Sequence, residues 1–281
     1  MANEQQGEPS ACSAGTQKMA QKIQDQMIES TLGKIKHKLL VMSGKGGVGK
    51  SSMAANIAVG LANRNFKVGL MDVDLHGPSI HGIMGLKGLL DITEGKIVIP
   101  KTFNENLKVV SMQSLMQEED QAVIWRGPLK NGVIRQFIAD MQWDALDYLV
   151  IDSPPGTGDE PLSVAQTIPD ARAIVITTPQ EVALSDVRKS INFCKKLNLE
   201  IVGIVENMGP FSCPHCGKII ELFKKGGGQL TAEKTHVPFL GSIPFDPQVV
   251  HACDDGTPIM SQSIDNEFTR AMNAVIDKII G

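Results

Sequence analysis

A single doubly wound α/β domain with a mostly parallel sheet is predicted for this 281-residue chain by three observations. Near-continuous apolar runs, such as LLVM at 39–42, YLVI at 148–151 and AIVIT at 173–177, read as strands buried on both faces. These runs alternate with helix-forming segments, the order that covers a parallel sheet with helices. Residues 39–63 run LLVM, SGKGGVGKS, SMAANIAVGLAN: a strand, a glycine loop and a helix in immediate succession.

Taken in order, strands are expected at Lys38–Ser43, Lys67–Asp72, Leu107–Ser111, Asp147–Asp152, Ala173–Thr177, Glu200–Glu206 and Pro238–Ser242. Helices are expected at Lys50–Asn63, Pro128–Met141, Leu184–Lys196 and Asn266–Ile279. The segment Lys87–Phe103 contains Gly and Pro and reads as an irregular excursion or a small hairpin. Residues 1–37 are rich in Gln, Glu, Ser, Lys and Gly, so they read as a flexible tail with a short helix near Thr16–Glu29. The folded domain is then 38–281, with no internal repeat.

Composition narrows the function classes. Apolar residues make up 42% and charged residues 21%, enough for one large core. A net charge of −4 gives no basic field for nucleic acid, and 4% aromatics leave little for base stacking. No apolar run reaches the ~20 residues that span a bilayer. The polar N-terminus lacks the apolar stretch of a secretory signal, so a cytoplasmic location without membrane or nucleic-acid partners is expected. Five cysteines are an odd number, better read in a reducing compartment as thiols or metal ligands than as disulfides.

GKGGVGKS at 44–51 satisfies the phosphate-loop pattern in its required strand–loop–helix context. Gly44, Gly46, Gly47 and Gly49 let the backbone close around phosphate oxygens, with the Val48 peptide among them. The helix that follows, beginning with Lys50, Ser51 and Ser52, adds the positive end of its dipole. Lys50 can reach the β- and γ-phosphates of ATP, and the Ser51 hydroxyl can ligate Mg²⁺. Lys45, on a loop already committed to phosphate, reads as a cation for transition-state charge, supplied even to a neighbouring subunit's nucleotide. Asp72 and Asp74 in MDVDLHGPS, and Asp152 before SPPGTGD, end two strands. Ligands of parallel sheets bind there, and carboxylates at that place can hold Mg²⁺ or orient an attacking water. Aspartates also end strands as ordinary turn formers, so it is the constellation that points to nucleotide hydrolysis.

FSCPHCG at 211–217 gives Cys213 and Cys216 the spacing of half a four-thiolate metal site. The pair fits a zinc knuckle as readily as an iron–sulfur ligand pair, and a lone CxxC is compatible with redox chemistry too. No second CxxC exists in the chain, so four thiolates require two subunits about a twofold axis. Cys194, in a predicted helix, reads as a small buried hydrophobe. Cys12 and Cys253 receive no role, and His215 reads as an exposed loop residue.

The loop with Lys45 resembles that of the deviant Walker A ATPases, the group of MinD, ParA-type partition ATPases and the nitrogenase iron protein. DVDLHGPS at 72–79, IDSPPGTGDE at 151–160 and VENMGPFSCPHCGK at 205–218, together and in order, resemble the Mrp family, or ApbC-type iron–sulfur cluster carriers. The resemblance spans about 34–281. It implies a P-loop NTPase fold and a homodimer with ATP sites near its interface. Lys45 would act across that interface, Asp74 would position water with Asp72 in support, and Asp152 would be the Walker B-type carboxylate serving Mg²⁺. Asn207 would contact adenine, and Cys213 and Cys216 would hold a [4Fe–4S] cluster bridging two subunits. Some relatives carry further cysteines near the N-terminus or a small domain ahead of this one; here Cys12 stands alone in the tail.

The function implied is an ATP-hydrolysing carrier that passes an iron–sulfur cluster from donors to apoprotein clients. The competing reading is a MinD/ParA-like positioning ATPase with structural zinc at the CxxC contact. Its C-terminal FTRAMNAVIDKIIG carries too few cations for a membrane-targeting helix. An electron-transfer ATPase resembling the nitrogenase iron protein fits less well, because that protein's cluster cysteines do not form a CxxC.

Overall fold

The structure, a computed structural model, describes residues 11–75, 77–93, 97–115, 127–213, 215–223 and 225–281. Along the chain these form α1 (Ala11–Leu32), β1 (Ile35–Ser43), α2 (Lys50–Ala62), β2 (Val68–Asp72) and α3 (Ile80–Ile83). Next come β3 (Asp91–Ile92), β4 (Val98–Ile99), β5 (Lys101–Asn104), β6 (Leu107–Ser111), α4 (Gly127–Asp140) and β7 (Leu146–Asp152). Then follow α5 (Asp159–Thr167), β8 (Arg172–Thr177), α6 (Glu181–Lys196), β9 (Ile201–Gly209), β10 (Phe211–Ser212) and β11 (Ile219–Ile220). The chain closes with α7 (Gly227–Thr235), β12 (Phe239–Pro244), α8 (Pro247–Asp254) and α9 (Glu267–Ile280).

Eight strands make one sheet in the order β12-β9-β8-β1-β7-β2-β6-β5. Seven run parallel and only the edge strand β5 is antiparallel, to β6. Alternation along each strand sends side chains to opposite faces. In β1, Leu40 and Met42 join one apolar layer while Leu39 and Val41 join the other. Strand β7 splits likewise, Leu149 and Ile151 against Tyr148 and Val150. Helices α4, α5 and α6 cover the first layer, and α2, α8 and α9 the second, which is the doubly wound arrangement.

Register gathers the chemistry at one end of the sheet. Val41 pairs with Asp152 across β1 and β7, and Asp72 pairs with Asp152 across β2 and β7. The carboxyl ends of the three central strands therefore bring Ser43, Asp72 and Asp152 to the same edge. The excursion at Lys87–Phe103 contains the β3–β4 hairpin, and β5 starts within it.

The N-terminal expectation needs correcting. Residues 1–10 lie outside the described residues; the helix expected near Thr16–Glu29 is present but longer, Ala11–Leu32, 22 residues, and β1 starts at Ile35 rather than Lys38. The cause is burial: Ile28 and Leu32, one helical turn apart, sink into the layer that contains α4. Arg135 on α4 is ion-paired with Asp25, and Gln24 donates to the Gln136 amide oxygen at 2.8 Å. Helices α5, α7 and α8 were not expected from the sequence and are present.

Candidate phosphate site and cysteine hairpin

The glycine loop joins β1 to α2 without an intervening turn of helix. Gly49, the residue before α2, has φ +78°, and a Cβ there would lie 2.4 Å from Asn207 Nδ2. A side chain would strain the backbone and collide with the Asn207 side chain of β9. Gly44 is required by close approach instead: its Cβ would lie 2.4 Å from the Asp186 backbone of α6. The Ser43 hydroxyl donates to Lys45 O at 2.8 Å, and Asn207 Nδ2 donates to Val48 O at 2.9 Å. The loop is thus braced from both sides.

Lys50 is buried, and its Nζ lies 2.5 Å from Asp152 Oδ1 and 3.4 Å from Ser51 Oγ. Asp152 is fully buried, and its Oδ2 has no hydrogen-bond partner among the described residues. Burial pushes the Asp152 carboxyl above the ordinary range, while the Lys50 charge opposes that shift. An orphaned, fully buried carboxyl oxygen beside a helix-start hydroxyl is a donor set suited to a hard divalent cation. Ser51 and Asp152 therefore fit the Mg²⁺ expected of them.

Asp72 does not line the cavity. Its Oδ1 accepts from Asp74 N at 3.0 Å, and its Oδ2 accepts from Ile80 N at 3.2 Å and Ser111 Oγ at 3.0 Å. It is a brace that shapes the Asp74 loop and the start of α3. Its own carboxyl is pushed up to about 8, first by burial and then by the charge of Asp152, against the opposing hydrogen bonds from Asp74 N and Ser111 and the charge of Lys50. Asp74, by contrast, faces the cavity and accepts from Gly77 N at 3.2 Å.

The cavity holds about 430 Å³. Lys45, Gly46, Gly47, Lys50, Ser51 and Ser52 form its phosphate end. Asn207 and Asp74 also line it, whereas Gly44 and Val48 do not. Sequence reading missed the opposite wall, an apolar one made by Met208, Phe245, Val249 and Phe268. These come from the end of β9, the β12–α8 turn, α8 and α9; Met208 sits in the VENMG stretch, and the other three lie outside every motif read from the sequence. A start signal for α8 was available, since Asp246 caps it by accepting from Gln248 N at 2.9 Å and Pro247 occupies its first position. Cys253 also lies in this wall, its Sγ 3.4 Å from Ser52 Oγ.

Cys213 and Cys216 lie outside the cavity, on a turn between β10 and β11. Phe211 pairs with Ile220 and Ser212 with Ile219; Cys213 N donates to Lys218 O, and Gly217 N donates to Cys213 O, both at 2.9 Å. Cys216 and His215 are exposed and Cys213 half-buried. Amide groups of His215 and Cys216, then the Cys216 side chain, hold the Cys213 thiol below its ordinary range. A thiol eased toward thiolate is what a metal-binding cysteine needs. Cys194 is fully buried and pushed up to about 11 by that burial, as befits a core hydrophobe. Among the described residues, no group of three or more His, Cys, Asp or Glu could hold a metal ion within one chain. Nor is any described helix long and apolar enough to cross a membrane.

Comparison with known proteins agrees with this architecture. The sequence profile of the ParA family, described as the NUBPL iron-transfer P-loop NTPase, matches residues 34–280. The iron-sulfur cluster carrier protein of Methanocaldococcus jannaschii is 42% identical over 261 residues, covering 92% of this chain and 90% of that one. A cytosolic Fe-S cluster assembly factor NUBP2 homolog of Trichoplax adhaerens is 45% identical, covering 90% and 97%. Among solved structures, a nucleotide-binding protein of Archaeoglobus fulgidus in complex with ADP has a TM-score of 0.76 and 37% identity over 88% of this chain and 96% of that one. The cell division ATPase MinD of Pyrococcus furiosus follows the same fold, with a TM-score of 0.65 and 25% identity over 87% and 98%. The braced glycine loop, the Lys50–Asp152 pair and the cysteine hairpin thus sit in a chain that belongs to the NUBPL-type iron-transfer P-loop NTPase family.

Proposed function

We propose that this protein is an ATP-hydrolysing iron–sulfur cluster carrier that acts as a homodimer. Each chain supplies Cys213 and Cys216, a [4Fe–4S] cluster is the cargo held between them, and apoproteins in the cytosol are its recipients. The observation that carries this reading is the hairpin itself: two accessible thiols, one eased toward thiolate, with no third ligand nearby among the described residues. Clusters of this type take four cysteine ligands, so two chains complete the set. Ligands divided between chains at an accessible edge suit delivery, whereas a closed four-ligand site suits retention.

The nucleotide half of the proposal rests on the cavity. Loop amides and Lys50 would receive the β- and γ-phosphates. Ser51 and Asp152 would hold Mg²⁺, which would neutralise phosphate charge. Asp74, at the cavity wall, would orient the attacking water, and Lys45 would meet developing charge from across the dimer. Asn207, already fixed by Val48 O, would present the rest of its amide to the base.

Anaerobic reconstitution with iron and sulfide tests the cargo. About four iron atoms per dimer are expected, with colour lost in Cys213→Ala or Cys216→Ala and retained in Cys12→Ala, Cys194→Ala or Cys253→Ala. ATP binding survives Cys213→Ala and Cys216→Ala, since neither cysteine lines the cavity. One tightly held zinc per dimer, no iron and no transfer to an apoprotein would sink the carrier reading and leave a metal-stapled ATPase.

A further inference from the structure

Asn207 and Cys213 are six residues apart, and the chain between them is tied to the nucleotide cavity at successive points. Asn207 holds the glycine loop through Val48 O. Met208 lies in the cavity wall with φ +58°, a left-handed conformation that a non-glycine residue inside a strand adopts only under constraint. Gly209 O accepts from Phe245 N at 3.0 Å. The ring of Phe211 then packs on the ring of Phe245, centroids 5.5 Å apart at 57°. Ser212 Oγ donates to Glu267 Oε1 at 2.7 Å, and Cys213 follows. Phe245 is shared: the cavity is on one side of it and the cysteine hairpin's root on the other.

We propose that Phe211 is a positioning residue for the thiol pair: through Phe245 it makes the arrangement of Cys213 and Cys216 depend on whether the nucleotide cavity is filled. The inference rests on nucleotide occupying that cavity, as proposed above. A ligand shifts a conformational equilibrium only through contacts that differ between the two arrangements. Phe245 supplies such a contact, because a base entering the apolar end of the cavity must pack on its ring. The strained Met208 peptide, between two fixed points, is the element with an alternative conformation to adopt. The hairpin is short: its described ladder pairs are Phe211 with Ile220 and Ser212 with Ile219, closed at the tip by Cys213 N on Lys218 O, so the anchors at Phe211 and Ser212 determine where the turn points.

The test measures alkylation of Cys213 and Cys216 by iodoacetamide in the full metal-free chain, read peptide by peptide by mass spectrometry. Rates are compared with and without a saturating non-hydrolysable ATP analogue. In the wild-type chain the analogue should change the Cys213 rate by about fivefold or more, within the usual range of site-to-site coupling. Phe211→Leu should still bind the analogue, which also reports that it is folded, but lose the response; Phe211→Tyr, which keeps a ring against Phe245, should retain it. A Phe211→Leu chain that responds like wild type overturns the inference, and indicates that a second subunit simply covers the thiols. A wild-type chain that binds the analogue with no change in either thiol overturns it too, while leaving the nucleotide site standing. Absence of binding removes the nucleotide reading and the inference together.

Discussion

Burying Lys50 against Asp152 withdraws two charges from water, which is tolerable only while both are present. Lys50→Ala should abolish ATP binding, checked by titration, because loop amides alone cannot replace a point charge. It should also reveal a specific dependence of stability on pH. The Asp152 carboxyl is already raised by burial, and Lys50 is the main group opposing that rise. Without it the folded protein holds the Asp152 proton at pH values where the unfolded chain has released it, from about pH 4 upward. Unfolding free energy then falls with rising pH, since the folded state binds more protons. The penalty of Lys50→Ala should therefore be small at pH 5 and reach about 3 kcal/mol at pH 8, as read by chemical denaturation. An equal loss at both pH values would mean that packing, not charge, was removed. Asp74→Ala should separate binding from chemistry: Mg·ATP affinity near wild type, turnover down by about a hundredfold. Parallel loss of both would make Asp74 a primary ligand of the metal.

At the scale of elements, α1 shows where sequence reading failed and why. The central strands were legible because a strand buried on both faces has little choice but continuous Leu, Ile and Val, and the glycine loop was legible because phosphate contact dictates its residues. Helix α1 obeys no such rule. Among its described side chains, Met19–Leu32, most Gln, Lys and Ser residues face water and only Ile28 and Leu32 are placed in the core, so the apolar signal there is one turn long. Helix α5 was hidden behind the SPPGTGD loop that precedes it, and the cavity's apolar wall came from four separate segments that only the fold brings together. The helix also makes a prediction. Replacing Ile28 or Leu32 by Ala should each cost about 2–4 kcal/mol, the usual range for emptying a buried aliphatic site. Nucleotide affinity should not change, because α1 meets β1 at the end opposite the glycine loop. The nine residues of β1 separate them by about 30 Å. Loss of affinity alongside stability would show that α1 supports the loop, against that expectation.

On the proposed function the whole molecule would be incomplete as one chain in two respects: its CxxC offers two thiolates where a [4Fe–4S] cluster takes four, and its loop carries a second lysine beyond Lys50. Ile219 and Leu222, beside the cysteine turn, are 63% and 52% exposed, an apolar surface that a second copy would cover. If Lys45 serves the partner's nucleotide, two inactive proteins should rescue each other. Take Lys45→Ala and Lys50→Ala, each without turnover alone, and mix them under conditions where subunits exchange. In a mixed dimer, the site on the Lys45→Ala chain keeps its own Lys50 and receives Lys45 from the partner, so it is complete. The other site lacks both lysines. Random pairing about a twofold axis makes half the dimers mixed, each with one working site of two, so activity should recover to about a quarter of wild type. If Lys45 acts within its own chain, every site in every dimer lacks one lysine and the mixture stays silent. Phosphate release measured against the mixing ratio separates the two cases, because action across the interface gives a maximum at equal amounts, whereas action within the chain gives no recovery at any ratio.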